Sequence, residues 1–266
     1  IDKRMITSLQ NAAIKNIVKL YKSSRERREQ QLFVIEGARE LSLALQSNYS
    51  IKSVYVCRDM FTNTKYPEVL NSLPDNIIFD ISSYVFEKIA YREKSDGIVA
   101  LVEPKQHGLS YINISDNPFI IILESVEKPG NLGAVLRTAD AATVDAVVIC
   151  DNQTDLYNPN VIRSGVGGLF TVQTAICSSE EALEWLNANK INVYAADLNG
   201  AKQYQTIDYT IRSAIVMGTE ADGLTDFWIN NAKERIKIPM RGMIDSLNVS
   251  VSTAVITFEA MRQRGF

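Results

Sequence analysis

The sequence predicts an α/β protein whose second half is built on a parallel β-sheet, with a smaller α/β unit before it. In the second half, continuously apolar segments alternate with helical patterns, and such segments are typical of strands buried on both faces of a sheet. In the first hundred residues, a shorter alternation of strands and helices ends at a stretch rich in Gly, Pro, Asn and Ser. With 266 residues, the chain is long enough for two domains that each bury a core.

The first half opens with a predicted amphipathic helix over residues 9–20, because its apolar residues recur at helical spacing. A run that is too polar to be buried, SSRERREQQ, follows it. The further predicted elements are, in order, the strand FVIEG, a helix over 38–45, the strands SIKSVYVC and NIIFDI, a helix over 84–89 and the strand GIVALVE. These elements predict a first domain over 1–103, a linker over 104–116 and a second domain over 117–266.

Four predicted strands form the sheet of the second domain: FIIILES, AVVICD, INVYAA and SAIVMG. Helices are predicted to begin near Asn131, Asn160, Ser179 and Leu224. A long helix over 247–264, capped by Ser246 and Asn248, closes the chain. Ligands in parallel sheets bind at the carboxyl ends of the strands. Three loops rich in polar and small residues fall at such ends, and they are the candidate functional segments.

The charge of the chain is distributed unevenly. The net charge is −3, which gives no overall sign of nucleic-acid binding, but residues 1–30 hold eight basic and three acidic residues. A basic end on an otherwise acidic protein suits a polyanion bound at that end, and a solvated helix face explains the same pattern equally well.

Cysteine and histidine usage excludes several kinds of site. The three cysteines are far apart and lie in or beside apolar strands, so they are expected to be reduced core thiols without a disulfide framework or a zinc site. The sole histidine, His107, lies in the polar linker, which argues against serine–histidine catalysis and histidine-rich metal sites. The chain shows neither a secretory leader nor an apolar run of membrane-spanning length, so a cytoplasmic protein is expected.

The first polar loop runs into a helix as KPGNLGAVLRTADAA. It lacks the Gly pattern of a dinucleotide-binding turn and the Lys-Ser/Thr pair of a P-loop, which disfavours both kinds of nucleotide site. Asn131 is expected to cap the helix and Arg137 to lie more than one turn inside it. Because the surrounding residues are small and apolar, Arg137 requires a partner, which is a phosphate, a carboxylate or another subunit.

The second and third loops, IVMGTEADGL and IPMRGMIDSLNVSVS, offer tight turns and neutral hydrogen-bonding groups. Gly218 permits a tight backbone turn whose groups grip an adenine edge or a carboxylate, and Glu220 is a candidate to orient Arg137 or a substrate hydroxyl. A plain strand-to-helix turn with acids near the helix N-terminus accounts for this loop as well. Ser246 and Asn248 suit a ribose hydroxyl or a phosphate, although a simple N-cap is the alternative.

Taken together, the order of these loops resembles the three signature motifs of the SpoU (TrmH-like) RNA 2′-O-ribose methyltransferases of the SPOUT superfamily. The resemblance is strong over residues 117–266, and the first hundred residues are more weakly similar to the ribosomal-protein-like RNA substrate-binding domain of many members. It implies a deep trefoil knot in the second domain, an exception to the rule that chains do not thread loops. It also implies S-adenosylmethionine as cofactor, RNA as substrate, a homodimer, and chemistry without metal.

The resemblance also assigns catalytic roles to residues of this chain. Asn131 and Arg137 match the polar pair of the first motif, and Arg137 would contact the phosphate beside the target ribose and assist deprotonation of its 2′-hydroxyl. Glu220 matches the acid of the second motif. Ser246 and Asn248 match the polar pair of the third motif, which positions the ribose.

Cofactor contacts are assigned in the same way to Gly218, Ile238 and Leu247, through backbone groups around the adenine. Leu198, at the end of another strand, is assigned to the same pocket. One stretch departs from the family pattern: in VIRSGVGGLF, Arg163 aligns, but Ser164 and Gly165 replace the usual pair.

Ribosomal RNA is the favoured substrate, because the extra N-terminal domain is typical of the members that act on it. A transfer-RNA ribose methyltransferase and a non-catalytic RNA-binding protein of the same fold are the alternatives. Another nucleotide-binding α/β enzyme is disfavoured by the missing nucleotide motifs. The target nucleotide, and the choice between housekeeping and drug resistance, stay open at this point.

Overall fold

The computed structural model describes residues 5–61, 65–92, 95–200, 202–219 and 221–266. Their contacts divide the chain into two compact units, Ile1–Lys105 with Leu156–Arg163, and Gln106–Asp155 with Ser164–Phe266. The sequence-based boundaries placed residues 156–163 in the second domain, whereas the contacts of this segment lie in the first unit. Among the helices of the described ranges, none is long and apolar enough to span a lipid bilayer.

The first unit is a four-stranded mixed sheet flanked by helices, with the strand order β1-β4-β2-β3. Strand β4 runs antiparallel to both β1 and β2, and β3 is parallel to β2. Its elements are α1 (Ala12–Lys22), α2 (Ser24–Gln30), β1 (Phe33–Glu36), α3 (Ala38–Gln46), β2 (Ile51–Val56), α4 (Arg58–Phe61), β3 (Ile78–Asp80), α5 (Ser83–Ile89) and β4 (Ile98–Val102), with 3₁₀ turns at Pro67–Ser72 and Asp75–Ile77.

Helix α1 forms because Asn11 caps it and its apolar stripe is buried against the sheet. The polar run after it was predicted to be too polar for burial, and most of it forms helix α2, in which Arg27 alone is buried. The buried side chain of Arg27 donates hydrogen bonds to the carbonyl oxygens of Leu20 and Tyr21, which receive no intrahelical partner at the end of α1. Arg27 therefore does not belong to the exposed basic surface that the charge count suggested.

The second unit confirms the predicted parallel sheet. Its seven strands are all parallel to their neighbours, in the order β7-β6-β5-β10-β8-β11-β9. The strands are β5 (Phe119–Glu124), β6 (Ala146–Cys150), β7 (Thr174–Cys177), β8 (Asn192–Ala196), β9 (Lys202–Gln203), β10 (Ser213–Met217) and β11 (Glu234–Lys237). The helices are α6 (Pro129–Ala141), α8 (Gly168–Thr171), α9 (Ser179–Ala188), α10 (Asp226–Asn231) and α11 (Val249–Arg264), with 3₁₀ turns at Leu109–Tyr111 and Tyr204–Thr206. Helix α7 (Pro159–Gly165) lies mostly in the segment that belongs to the first unit and ends in the second.

The four predicted strands are β5, β6, β8 and β10, which are buried at nearly every position. Strands β7, β9 and β11 were missed because they lie toward the edges of the sheet, where strands are short and carry polar residues. In β11, only Ile236 is buried, so its sequence lacks the apolar run of a central strand.

Cysteines 150 and 177 end neighbouring strands and are paired in register on β6 and β7. Both are free thiols, as is the buried Cys57. A hydrogen bond with Cys177, together with burial, raises the pKa of the Cys150 thiol.

Gly165 and Gly168 lie close to the backbone of α6. A Cβ atom at Gly165 would lie 3.3 Å from the carbonyl oxygen of Gly133 in α6. At Gly168, a Cβ atom would lie 2.9 Å from the carbonyl group of Leu136. A small residue is therefore favoured at Gly165 and glycine is required at Gly168, because this segment passes directly over the backbone of α6.

Helix α11 packs on α6 and on β10 through a face of small and β-branched residues that includes Thr253, Ile256 and Thr257. Arg264 fixes its far end, because its guanidinium donates to the carbonyl oxygens of Asn117, Tyr209 and Ile211 at 2.7–2.8 Å. Burial lowers the pKa of this guanidinium, and the charge of Asp145 opposes that shift. The C-terminal end of α11 is thereby tied to the start of β5.

Candidate active site

Three loops meet at the carboxyl ends of β8, β10 and β11 and line a half-open cavity of about 520 Å³. This volume is in the range of sites for small molecules and cofactors. The cavity is lined by all four residues predicted to contact the cofactor and by one predicted catalytic residue, namely Leu198, Gly218, Ile238, Leu247 and Ser246. Residues from three separate stretches of the sequence therefore surround one space, at the edge of the sheet where the topology predicts a ligand.

The loop after β10 is a tight turn closed by its own backbone. The amide groups of Thr219 and Gly223 donate to each other's carbonyl oxygens at 3.0 and 3.2 Å. A Cβ atom at Gly218 would lie only 2.2 Å from the carbonyl carbon and oxygen of Gly223, so no larger residue fits at 218. Gly223 has a φ of +71°, a left-handed conformation that side chains disfavour. The predicted acid Glu220, in the same loop, lies outside the described residues.

Glu124, at the end of β5, anchors the segment that follows this turn. Its carboxylate is almost fully buried and accepts hydrogen bonds from the backbone amide of Thr225 at 2.9 Å and from its hydroxyl at 2.6 Å. Thr225 is the N-cap residue of α10, whose Asp226 and Ile229 line the cavity. Sequence reasoning missed this residue, although an acid at the last position of an apolar strand was a signal that could have identified it.

Removal of the Thr225 hydroxyl is expected to destabilise the protein measurably. Thr225→Val retains the shape of the side chain but leaves the buried Glu124 carboxylate without one charge-assisted hydrogen bond, which costs about 1.5–3 kcal/mol. Thr225→Ser, which keeps the hydroxyl, is the matched control and is expected to lose far less. Urea unfolding measures the free energy of unfolding of each variant, and a Thr225→Val protein as stable as the wild type would show that the anchor is unimportant.

A second cluster brings the first and third motifs together beside the cavity. The amide nitrogen of Asn248 donates to the side-chain oxygen of Asn131 at 3.1 Å. The other end of the Asn248 amide is fixed because its oxygen accepts from the backbone amide and the hydroxyl of Ser250, at 3.0 and 2.6 Å. Asn248 is thus the N-cap of α11 and also a link to Asn131, 117 residues away in sequence.

The prediction that Asn131 caps α6 is wrong. The helix begins two residues earlier, at Pro129, with Lys128 as the N-cap residue. Proline is favoured in the first turn because it has no amide hydrogen to leave unpaired, so the Pro in this motif is the better start signal. Asn131 therefore lies inside the first turn, and its side chain is available to Asn248.

Arg137 is exposed on α6 and is not among the residues that line the cavity. It makes no hydrogen bond or ion pair with any residue that the structure describes. The structure therefore brings together Asn131, Asn248, Ser246 and the cavity, but it does not place the Arg137 guanidinium in contact with them. The guanidinium faces solvent, where it can meet a ligand that arrives from outside.

Two further groups shape this region and gave no recognisable sequence signal. The hydroxyl of buried Thr154 donates to the carbonyl oxygen of Val126 at 2.9 Å and lies 2.5 Å from that of Glu127, which holds the first loop in place. On the cavity wall, Arg235 donates through Nε to a carboxylate oxygen of Asp197 at 2.9 Å. Within the described ranges, no group of His, Cys, Asp and Glu is arranged to hold a metal ion.

Comparison with known proteins agrees with this geometry. The sequence model of the SpoU rRNA Methylase family matches residues 118–258, and that of the MRM3-like substrate binding domain matches residues 11–100. The 23S rRNA (guanosine(2553)-2′-O)-methyltransferase RlmP of Bacillus subtilis is 27% identical, with 96% of this chain and 98% of that protein covered.

Solved structures show the same likeness over both units. A crystal structure of an RNA 2′-O ribose methyltransferase is 35% identical, covers 98% of this chain and 99% of its own, and has a TM-score of 0.86. The AdoMet-bound rRNA methyltransferase from Sinorhizobium meliloti is 28% identical, with 97% of each chain covered and a TM-score of 0.87. With a family match over more than half of its residues, and with the second and third motif loops on the wall of one cavity, this chain belongs to the SpoU rRNA methylase family.

Proposed function

We propose that this protein transfers a methyl group from S-adenosylmethionine to the 2′-hydroxyl of a ribose in ribosomal RNA. The observation that carries the proposal is the position of the linked Asn131 and Asn248 directly beside the cavity, whose wall includes Ser246 and Leu247. A small-molecule site and a cluster of neutral hydrogen-bonding groups are thus adjacent, as transfer between a cofactor and a sugar hydroxyl requires. Family membership and the names of the relatives support the same reaction.

Backbone groups of the protein make the cavity suitable for S-adenosylmethionine. The tight turn at Gly218 presents peptide groups, without side chains, to the cavity, which suits the flat edge of an adenine ring. Among the described residues, three acids, Asp197, Asp222 and Asp226, line the cavity together with two cations, Arg235 and Lys237, and this excess of one negative charge favours a ligand with positive charge. Gly218, Ile238, Leu247 and Leu198 are the residues we propose to hold the cofactor. When bound, it supplies an electrophilic methyl group.

The chain's own residues provide positioning and electrostatic stabilisation. We propose that Asn131, Asn248 and Ser246 orient the ribose by hydrogen bonds, because a fixed geometry contributes most of the catalysis in such a displacement. Arg137 binds the phosphate beside that ribose and stabilises negative charge as the 2′-hydroxyl gives its proton to solvent. A guanidinium remains protonated, so its proposed role is electrostatic. Glu220, in the cavity loop, is proposed to orient the guanidinium.

The first unit is the proposed RNA-binding module. Lys15, Lys19 and Lys22 are spaced by four and three residues, so they form one stripe on the exposed face of α1. None of the three makes an ion pair with a residue that the structure describes. A stripe of uncompensated ammonium groups, in a chain of net charge −3, fits the phosphate backbone of RNA.

Replacing these three lysines together by alanine is expected to reduce the salt dependence of RNA binding. Each phosphate contact contributes about 0.7 to the slope of log K against log salt concentration for a single strand, so the slope falls by roughly 2. Lys52→Ala is the control, because Lys52 is already paired with Glu103 at 2.7 Å. Filter binding at four salt concentrations gives the slopes, and an unchanged slope would remove α1 from the RNA-binding surface.

A homodimer and a knot complete the proposal. Val251 and Phe258 on α11, and Met243 and Ile244 in the loop before it, are exposed apolar residues beside the site, and a second copy of the chain is their proposed cover. Light scattering is expected to show a dimer, and a monomer at micromolar concentration would contradict it.

A trefoil knot is supported by the path of the chain, which leaves β11 near the sheet edge and returns to α6 in α11.

The substrate class is tested by incubating the protein with labelled S-adenosylmethionine and unmodified ribosomal or transfer RNA in parallel. Label is expected in ribosomal RNA. Because bacterial ribosomal RNA is made in the cytoplasm, the cytoplasm is the proposed place of action. Label in transfer RNA alone would overturn the substrate assignment. If neither RNA is labelled and no cofactor binding is detected, the enzymatic proposal itself fails.

A further inference from the structure

The segment after α5 is held rigidly by two buried carboxylates. Glu36 accepts hydrogen bonds from the backbone amides of Tyr91 at 2.6 Å and Arg92 at 3.2 Å. Glu40 accepts from the guanidinium of Arg92 at 2.8 Å. Both carboxylates are at least 95% buried, and buried acids are costly unless they are fully paired. The backbone at residues 91 and 92 therefore has a fixed position in the first unit.

This fixed segment presents an aromatic ring at the surface. The Tyr91 ring is stacked on that of Tyr21, with 5.5 Å between the centroids and 14° between the planes. Its hydroxyl donates to the side-chain oxygen of Asn160 at 2.7 Å, so the ring cannot rotate freely. Even so, 37% of Tyr91 is exposed, which leaves part of a pre-oriented ring open to a partner.

The surroundings of the ring indicate what kind of partner it takes. The guanidinium of Arg163 lies over the Tyr91 ring, with its carbon 6.0 Å from the ring centre, and Lys22 follows Tyr21 at the end of the lysine stripe. The cavity beside these rings measures only about 10 Å³, which is too small for an enclosed small molecule. The partner must therefore lie on the surface and carry negative charge next to a flat group. An unpaired nucleotide has both features.

We propose that Tyr91 is a stacking site for one unpaired base of the substrate RNA, distinct from the nucleotide that is methylated. Arg163 and Lys22 supply the positive charge for the phosphates on either side of that base, and Glu36 is the positioning residue that holds the ring in place. This inference rests on the proposed function in one respect, namely that RNA is the substrate. It adds a contact that recognises the RNA through stacking, which tolerates any base because each has a flat face.

The test compares Tyr91→Leu, Tyr91→Phe and Tyr84→Leu, the last being an exposed tyrosine on α5 of the same unit. The probe is unmodified 23S ribosomal RNA made by transcription, and affinity is measured at several salt concentrations. Tyr91→Leu is expected to weaken RNA binding roughly 5- to 150-fold, the usual effect of losing one stacked base, with an unchanged salt slope. KM for RNA rises accordingly, and kcat at saturating RNA stays within about twofold. Tyr91→Phe, which keeps the ring, and Tyr84→Leu are expected to resemble the wild type.

Cofactor affinity and the thermal unfolding midpoint identify a variant that is simply misfolded, and in that case Tyr91→Gln, which has a polar end but no ring, takes the place of Tyr91→Leu with the same expected loss of RNA affinity. An unchanged RNA affinity in folded Tyr91→Leu would overturn the stacking site. An equal loss in Tyr91→Phe would also overturn it, because the hydroxyl rather than the ring would be responsible. If the wild type methylates no RNA but Tyr91→Leu still loses RNA affinity, the proposed function fails and the stacking site stands.

Discussion

Replacing Arg137 by alanine is expected to lower kcat for methyl transfer by about 10²- to 10³-fold, the usual cost of removing a group that stabilises developing charge. Because Arg137 is exposed and does not line the cavity, affinity for S-adenosylmethionine should remain within about twofold. The free energy of unfolding should also change little, since the side chain contacts no charged partner among the described residues. Single-turnover kinetics at saturating RNA, with cofactor affinity measured separately, gives both quantities.

Arg137→Lys is the matched variant, since it keeps the charge but loses the planar fork that binds phosphate through two hydrogen bonds. Its expected activity lies between those of the wild type and Arg137→Ala. A lysine variant with wild-type turnover would show that a guanidinium is not required. Loss of cofactor binding in the alanine variant would show instead that Arg137 belongs to the cofactor site.

The second large effect is expected at Gly218. In Gly218→Ala, the new Cβ would lie 2.2 Å from the carbonyl group of Gly223, so the turn over the cavity must open. We expect affinity for S-adenosylmethionine to fall at least 100-fold, because backbone groups held by this turn are the proposed adenine contacts. Isothermal titration measures the affinity, and circular dichroism verifies that the variant is folded.

Gly242→Ala is the matched control for this substitution. Gly242 lies in the loop after β11, and a Cβ atom there would meet nothing within 4 Å. Its cofactor affinity is expected to equal that of the wild type. If Gly218→Ala also bound the cofactor normally, the cavity at the ends of β8, β10 and β11 would not be the cofactor site.

The sequence predicted the centre of the fold better than its edges, for a physical reason. Strands such as β5 and β6 are buried on both faces, and apart from Glu124 at the end of β5 they consist of apolar residues, which leaves one interpretation. The edge region of β11 and β9 is exposed and charged, so its residues give no period to detect. Arg27 is a second example. It stands in a charged run, and nothing in that run indicates that this one arginine is buried and donates a hydrogen bond to a carbonyl oxygen at the end of α1.

In the candidate site, the sequence predicted those features that depend on the local backbone. Gly218 was identifiable because a small residue between a strand and an acid indicates a tight turn. Contacts between distant segments, such as Thr225 with Glu124 and Thr154 with Val126, were not predictable, because they depend on which strands become neighbours. The orientation of Asn131 belongs to the same class, since its partner Asn248 is set by the packing of α11 on α6.

The chemical identity of the product is the most direct test of the central claim. Ribosomal RNA methylated by the protein with labelled S-adenosylmethionine is digested to nucleosides, which are separated by chromatography and identified by mass spectrometry. The arrangement of Asn131, Asn248 and Ser246 beside the cavity predicts that all label is found in one 2′-O-methylnucleoside. Label in a nucleoside methylated on its base would contradict the account, because it would mean that these residues present a base, not a ribose, to the cofactor.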